Sequence, residues 1–398
     1  MKRILLAAVA VQLLATGLAT GSAAAQDLKI ALISSKTGPF EAYAKQTEAG
    51  FNLGLEFVTG GTMTVNGKKL VVISKDDQGK PDLAKTLLEQ AYADDNVDLA
   101  VGTSSSGAAL AMLPVAQDQG KVLIVEPAVA DQITGDKWNR FIFRTARNST
   151  QDALAAAVAL GSGEVSVATL AQDYAFGRDG VAAVKDAITA TGSKAKVVFE
   201  EYAPQNATDF TASAQRIFDA LKDKPGRKII YIIWAGASPF TKIMGLQPER
   251  FGIEVAPGGN ILPVMKTYQP YPGIEGAVYY YYGFPKNPMN DWLVAEHKKR
   301  FGTPPDFFTA GGMAAASAAV TAIKKAGSTD PEKLIAAMEG MEFDTPKGKM
   351  IFRKEDHQAL QAMYDFKVKP KGADENDLLE LVREIPIAEM PLPIRNKR

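Results

Sequence analysis

Gly102-Thr103-Ser104-Ser105-Ser106-Gly107 sets three consecutive serines between an apolar run ending at Val101 and a helical pattern over 108–119. Hydroxyls beside the unpaired amides of a helix start offer a seat for a carboxylate or another anion. Serines are equally ordinary helix caps, and spacing alone weighs the two readings evenly. Position tips the balance, because ligands of open α/β sheets bind outside the carboxyl ends of the strands. Thr37-Gly38-Pro39-Phe40, Glu126-Pro127-Ala128-Val129, Gln172-Asp173-Tyr174-Ala175-Phe176-Gly177 and Trp234-Ala235-Gly236-Ala237 each follow an apolar run at the same edge. Together they would line a cleft with Tyr43, Tyr174, Phe176 and Trp234, an aromatic wall around one polar anchor.

Groups suited to turnover are scarce. His297 lies in a charged helical run and His357 between Asp356 and Gln358 in a polar turn, so both read as solvated surface residues. The chain has no Cys, which rules out a disulfide framework and leaves few donors for a transition-metal site. No cofactor and no metal is expected. No nucleophile elbow, dinucleotide fingerprint or complete phosphate loop occurs, and Asn66-Gly67 reads as a hairpin turn. The run Tyr279-Tyr280-Tyr281-Tyr282, read as strand, puts two rings on each face; it is structural first, with one ring reaching the cleft as the lesser alternative.

The elements that must position these residues alternate short apolar runs with helical patterns, the mark of parallel βαβ units. Strands over 28–33, 69–74, 97–101 and 121–125 enclose helices over 41–58, 82–93 and 107–119. A second series has strands over 165–170, 195–201, 228–234 and 260–264 and helices over 150–160, 177–191, 209–223 and 239–246. A strand near 276–283, helices near 289–301 and 309–326, and strands over 350–353 and 362–368 remain to complete the lobes. The fold class is therefore α/β, with two doubly wound parallel-sheet lobes. Lobe 1 takes 26–146 plus about 274–345, and lobe 2 takes 147–273 plus about 346–398.

Met1, Lys2 and Arg3, an apolar run over 4–18 and Ala23-Ala24-Ala25 read as a signal peptide over 1–25, cleaved on export to the periplasm. The remaining 373 residues suit two domains, and their 43 basic against 45 acidic side chains give a net charge of −2. That balance does not recommend nucleic acid or an anionic membrane as partner. The mature chain is expected to be soluble and monomeric.

The segments 28–39 (LKIALISSKTGP), Asp76-Asp77, 101–107, 173–177 (DYAFG), Asp209-Phe210 and Trp234-Ala235-Gly236, in this order and spacing, resemble the type I periplasmic solute-binding proteins of the branched-chain amino acid (amino acid/amide) class of ATP-binding-cassette importers. The resemblance covers nearly the whole mature chain. It implies a Venus-flytrap fold with a three-crossing hinge, closure around one small molecule, and permease subunits as partners. It also implies that Ser106, with Ser105 beside it, holds a ligand carboxylate, and that Ala128 and Val129 stand where relatives supply a carbonyl and a threonine hydroxyl. Phe176 matches a second-lobe tyrosine, Tyr43 an aromatic near the first helix, and Met265 falls near the glutamate that pairs with a ligand ammonium.

A buried α-ammonium without an anionic partner costs several kcal/mol. The resemblance, with Met265 in place of the acid, thus implies a carboxylate with an aromatic body and no ammonium, of benzoate or phenylpropenoate type. The alternative is an amino-acid receptor in which Glu126, Asp173 or another acid replaces the lost partner. A sensory lobe and a secreted hydrolase are further rivals; the hydrolase lacks a base near Ser106.

Overall fold

The computed structural model describes residues 27–159 and 163–396, so the segment 1–25, read above as a signal peptide, lies outside the described residues. The first sheet contains β1 (Leu28–Ser34), β2 (Thr64–Val65), β3 (Lys68–Asp76), β4 (Leu99–Val101), β5 (Leu123–Val125) and β6 (Ile142–Arg144), in the order β2-β3-β1-β4-β5-β6. Its pairings are parallel apart from the β2–β3 hairpin, which turns at Asn66-Gly67 with both residues at positive φ. The helices α1 (Glu41–Val58), α2 (Pro81–Ala93) and α3 (Ser106–Gln119) connect these strands. Side chains alternate across β1: Ile30 and Leu32 enter one core with Phe51 and Leu55, while Ala31 and Ile33 enter the opposite one with Leu88 and Met112. With both faces covered, the inner strands β4 and β5 read as unbroken apolar runs.

After α4 (Ser149–Ala159) a second parallel sheet follows, with β7 (Val165–Gln172), β8 (Ala195–Ala203), β9 (Arg227–Ile233) and β10 (Ile253–Ala256) in the order β10-β9-β7-β8. Its helices are α5 (Ala175–Ala190), α6 (Thr211–Leu221), α7 (Phe240–Met244) and α8 (Leu262–Met265). The segment 260–264, predicted as a strand, is corrected here: Pro263 opens the short helix α8, and the fourth strand lies earlier, at β10. The architecture is α/β, with parallel sheets in two lobes.

The remaining chain is divided between the lobes. β11 (Glu275–Val278), α9 (Pro288–Phe301), α10 (Phe307–Ala326) and α11 (Pro331–Met338) are followed by β12 (Glu342–Thr345), β13 (Gly348–Phe352), β14 (Ala359–Leu360), β15 (Met363–Val368) and β16 (Leu379–Ile385). β11, β15 and β16 form a small antiparallel sheet whose Val278, Phe366 and Leu379 share the second lobe's core. The β12–β13–β14 hairpins bury Phe343, Met350 and Phe352 with Phe51 and Val320 in the first lobe's core. We therefore place the return to the first lobe after Tyr282 rather than at 274, and the last crossing at 361–362 rather than at 346. Gln358 donates to the carbonyls of Ala146 (2.7 Å) and Ala359 (3.0 Å), and Gln361 to that of Thr145 (3.2 Å), which lashes the first and last crossings together.

Both histidines depart from the solvated positions predicted for them. His357 is fully buried, with its ring stacked 3.9 Å from that of Phe143 and Nδ1 2.8 Å from the Ile142 carbonyl. His297 sits 2.7 Å from the Thr303 carbonyl at a buried helix position, where burial holds its imidazole below the ordinary value. Polar runs hid both: His357 is covered by Ile142 and Phe143 from a distant part of the chain, and His297 by Phe301 and Thr303 a few residues further along.

Candidate ligand-binding cleft

The carboxyl edges of the two sheets face one another across a cleft. The first lobe contributes Tyr43 from α1, Ser104 and Ser106 from the β4–α3 turn, Pro127 and Val129 after β5, and Phe307 and Phe308 at the start of α10. The second contributes Ser149, Asp152, Tyr174, Phe176, Tyr231, Trp234 and Asn260, while Arg147 and Tyr279 rise from the crossings. The void between these walls is about 110 Å³, against the roughly 10–15 Å³ that one water needs. A single substituted ring is of the right order for that space.

Ser106 opens α3, and its Oγ accepts from the amides of Val129 (3.4 Å) and Ala130 (3.2 Å). It thereby fixes the loop after β5 against the serine turn and keeps its own proton available to a guest. Ser105 has the capping role: its Oγ accepts from the Ala108 amide at 3.4 Å. Ser104 is the serine whose buried Oγ has no partner within the protein, and it lines the cleft. Of the other predicted residues, Val129, Tyr43, Tyr174, Phe176 and Trp234 also line it. Three do not. Ala128 is buried beneath the wall with its amide donating to the Thr103 carbonyl at 3.1 Å, Ala237 faces outward, and Met265 packs at 1 % exposure into the apolar core. Met265 ends the short helix α8 and shares the second lobe's apolar cluster with Tyr268 and Phe240 instead of lining the cleft.

The residues that spacing did not single out supply the charge. Arg147 binds Asp152 through Nε at 3.0 Å, and its guanidinium lies 4.6 Å from the Phe307 ring centre and 5.5 Å from that of Tyr279. Burial raises the Asp152 carboxyl above the usual value and Arg147 opposes that shift. Tyr279 has a buried hydroxyl without a protein partner, and burial holds its phenol far above the ordinary value, so it remains a donor. Behind it the half-buried Lys347 holds Nζ 3.9 Å from the ring centre, donating to Gln361 Oε1 (2.8 Å) and the Ala362 carbonyl (2.7 Å). A Phe-Ile-Phe run at 141–143, the seed of β6, was the signal that would have put 145–148 at the same sheet edge.

Glu126 and Asp173, weighed above as replacement acids, lie elsewhere. Asp173 pairs with Arg178 at 2.7 Å on the surface. Glu126 is sealed at 2 % exposure, accepting from Thr145 Oγ1 at 2.9 Å, and burial pushes its carboxyl up to about 7. The folded state thus keeps a proton that the unfolded chain releases between about 4.5 and about 7. Stability falls as pH rises through that window and stays at the lower level above it. Glu126→Gln has no such loss, so its melting temperature relative to the parent should climb between pH 4.5 and 7; parallel curves would refute the assignment.

Tyr43 spans the lobes. Its hydroxyl accepts from the Gly236 amide at 2.6 Å and lies 3.5 Å from Asn260 Oδ1, while its ring packs 4.3 Å from that of Phe308. Tyr43→Phe strands the Gly236 amide in the closed form, at a cost of about 1–3 kcal/mol. Ligand affinity should fall about tenfold in titration calorimetry, and an unchanged affinity would show that this bridge does not hold the closed state.

The sequence profile of the family described as periplasmic binding protein matches residues 27–374. This chain belongs to that family. The binding protein is 28 % identical over 370 residues to the leucine-, isoleucine-, valine-, threonine-, and alanine-binding protein of Pseudomonas aeruginosa, covering 88 % of this chain and 92 % of that one. Among solved structures it is similar to an ABC-type branched-chain amino acid transporter from Rhodopseudomonas palustris CGA009, with 66 % identity, TM-score 0.83 and coverage of 94 % and 100 %. A solute-binding protein of an ABC transporter from Rhodopseudomonas palustris BisB5, in complex with 3,4-dihydroxybenzoic acid, is 30 % identical with TM-score 0.77 and coverage of 91 % and 98 %. The protein is a periplasmic substrate-binding protein of an ABC transporter.

Proposed function

We propose that the cleft captures an aromatic carboxylate without an ammonium group, of benzoate or phenylpropenoate type, and that the closed form delivers it to permease subunits in the periplasm. One observation carries this reading: the cleft's unsatisfied donors and its acid are unequally placed. Ser104 Oγ and Tyr279 Oη are buried without partners, whereas Asp152 already holds Arg147. A carboxylate satisfies such donors, each of which otherwise costs about 1–3 kcal/mol. An ammonium would have to compete with a guanidinium for the same acid. The rings of Tyr43, Tyr174, Phe176, Trp234, Phe307 and Phe308 suit a flat apolar body.

The action is capture without turnover. The guest binds one lobe, the second lobe swings over it, and differential affinity for the closed state drives the swing. Moving from mostly open to mostly closed takes about 5.5 kcal/mol. The mature protein acts as a soluble monomer in this scheme. Asp152 favours a second reading, an amino-acid receptor, since it is a carboxylate within the cleft. A melting-temperature screen separates them, because a ligand of the folded form must raise that temperature. Benzoates and phenylpropenoates should shift it by several degrees and leucine, isoleucine and valine should not; a shift from the amino acids alone would overturn the proposal.

A further inference from the structure

We infer that the cleft continues into a second chamber, between β10 and β11, that receives the apolar tail of an elongated aromatic acid; this rests on the aromatic-acid reading above. β10 is the edge of the parallel sheet and β11 the edge of the small antiparallel one, and the two are not paired. They pinch together beside the cleft, where an ideal Cβ on Gly259 would stand 2.7 Å from the Ala277 carbonyl oxygen. Away from that point they part around a void of about 600 Å³, larger than the cleft's 110 Å³.

Tyr231, Gly258 and Ala277 line both spaces. The partition is therefore one tyrosine ring and two residues with almost no side chain. At Gly258, whose φ is +66°, an ideal Cβ would meet nothing within 4 Å, so the backbone there borders open space. The chamber's walls include Ile229, Met244, Val255, Ala256, Tyr271 and Ile274, and none of the partnerless buried polar atoms among the described residues belongs to it. Its charged groups include Arg227 and Glu254, paired at 2.6 Å with about half of each side chain exposed, which puts them at the outer rim. Polar at the mouth and apolar within, the chamber suits a hydrocarbon or aryl tail and offers no seat for a second charged head.

The test is titration calorimetry of the mature protein with benzoate and with 3- and 4-alkoxybenzoates from methoxy to hexyloxy. In one of the two series affinity should rise roughly two- to fourfold per added methylene over the first few carbons. Ala256→Phe and Ala156→Phe, which fill the chamber from β10 and from α4, should abolish that gain while benzoate affinity stays within twofold. If benzoate binds and both series weaken as the chain grows, or if neither variant alters the gain, the chamber is not part of the site. If benzoate itself fails to bind, the aromatic-acid reading falls and this inference falls with it.

Discussion

With Arg147 replaced by methionine, affinity for an aromatic carboxylate should fall at least about 30-fold. Among the described residues Arg147 is the cation that lines the cleft, and its side chain is only 11 % exposed. Truncating one partner of a buried, hydrogen-bonded charge pair costs about 2–5 kcal/mol, and each 1.4 kcal/mol is tenfold in affinity. Part of that cost is the stranding of Asp152, so the double variant Arg147→Met, Asp152→Asn separates the terms. The pair made neutral should recover the parent's melting temperature and still bind the carboxylate poorly. A double variant that binds like the parent would show that the anion is held by the hydroxyls alone.

Gly312→Val should cost more than about 3 kcal/mol of stability in chemical denaturation, with a loss of ligand affinity beside it. α1 and α10 cross backbone to backbone. An ideal Cβ on Gly312 would lie 2.1 Å from the Thr47 carbonyl oxygen and 2.8 Å from the Phe51 amide, and one on Gly50 would lie 1.9 Å from the Thr309 carbonyl oxygen. These neighbours are main-chain atoms that no rotamer change can move, so valine must force the helices apart. The same two helices carry Tyr43 and the Phe307–Phe308 pair, whose packing forms one wall of the cleft. Gly312→Ala should fall between the parent and Gly312→Val in both measurements, and an unchanged denaturation midpoint for the valine variant would contradict this helix contact.

Period and punctuation made the βα units of both sheets legible, because inner strands such as β1 and β7 are buried along almost their whole length and helices such as α5 and α6 carry one apolar stripe. The serine corner was legible for the same reason, since a hydroxyl cluster between strand and helix has few other places to be. What eluded the sequence depends on contacts between distant segments. β6 is three residues long, so the edge that presents Arg147 carries little periodic signal. Tyr279 is one of four tyrosines; the hydroxyls of the other three reach Asn290 and the Asn376 carbonyl, at 2.7 Å for Tyr280, 2.6 Å for Tyr281 and 3.2 Å for Tyr282. The ring that faces the cleft is therefore distinguished only by a partner it lacks. Met265, placed near the ammonium's partner by resemblance, is core at 1 % exposure, because burial in the apolar cluster is set by packing and not by its place in the chain.

The central claim is that this cleft selects a carboxylate and has no place for an ammonium. 3-Phenylpropanoate and phenylalanine differ only in that group, so calorimetric titration of the mature protein with the two reads the claim directly. Saturable binding of 3-phenylpropanoate is expected, with at least about 100-fold weaker binding of phenylalanine, the factor that an unpartnered buried charge of several kcal/mol imposes. Phenylalanine binding as tightly as 3-phenylpropanoate, or more tightly, would contradict it and make Asp152 the ammonium's partner.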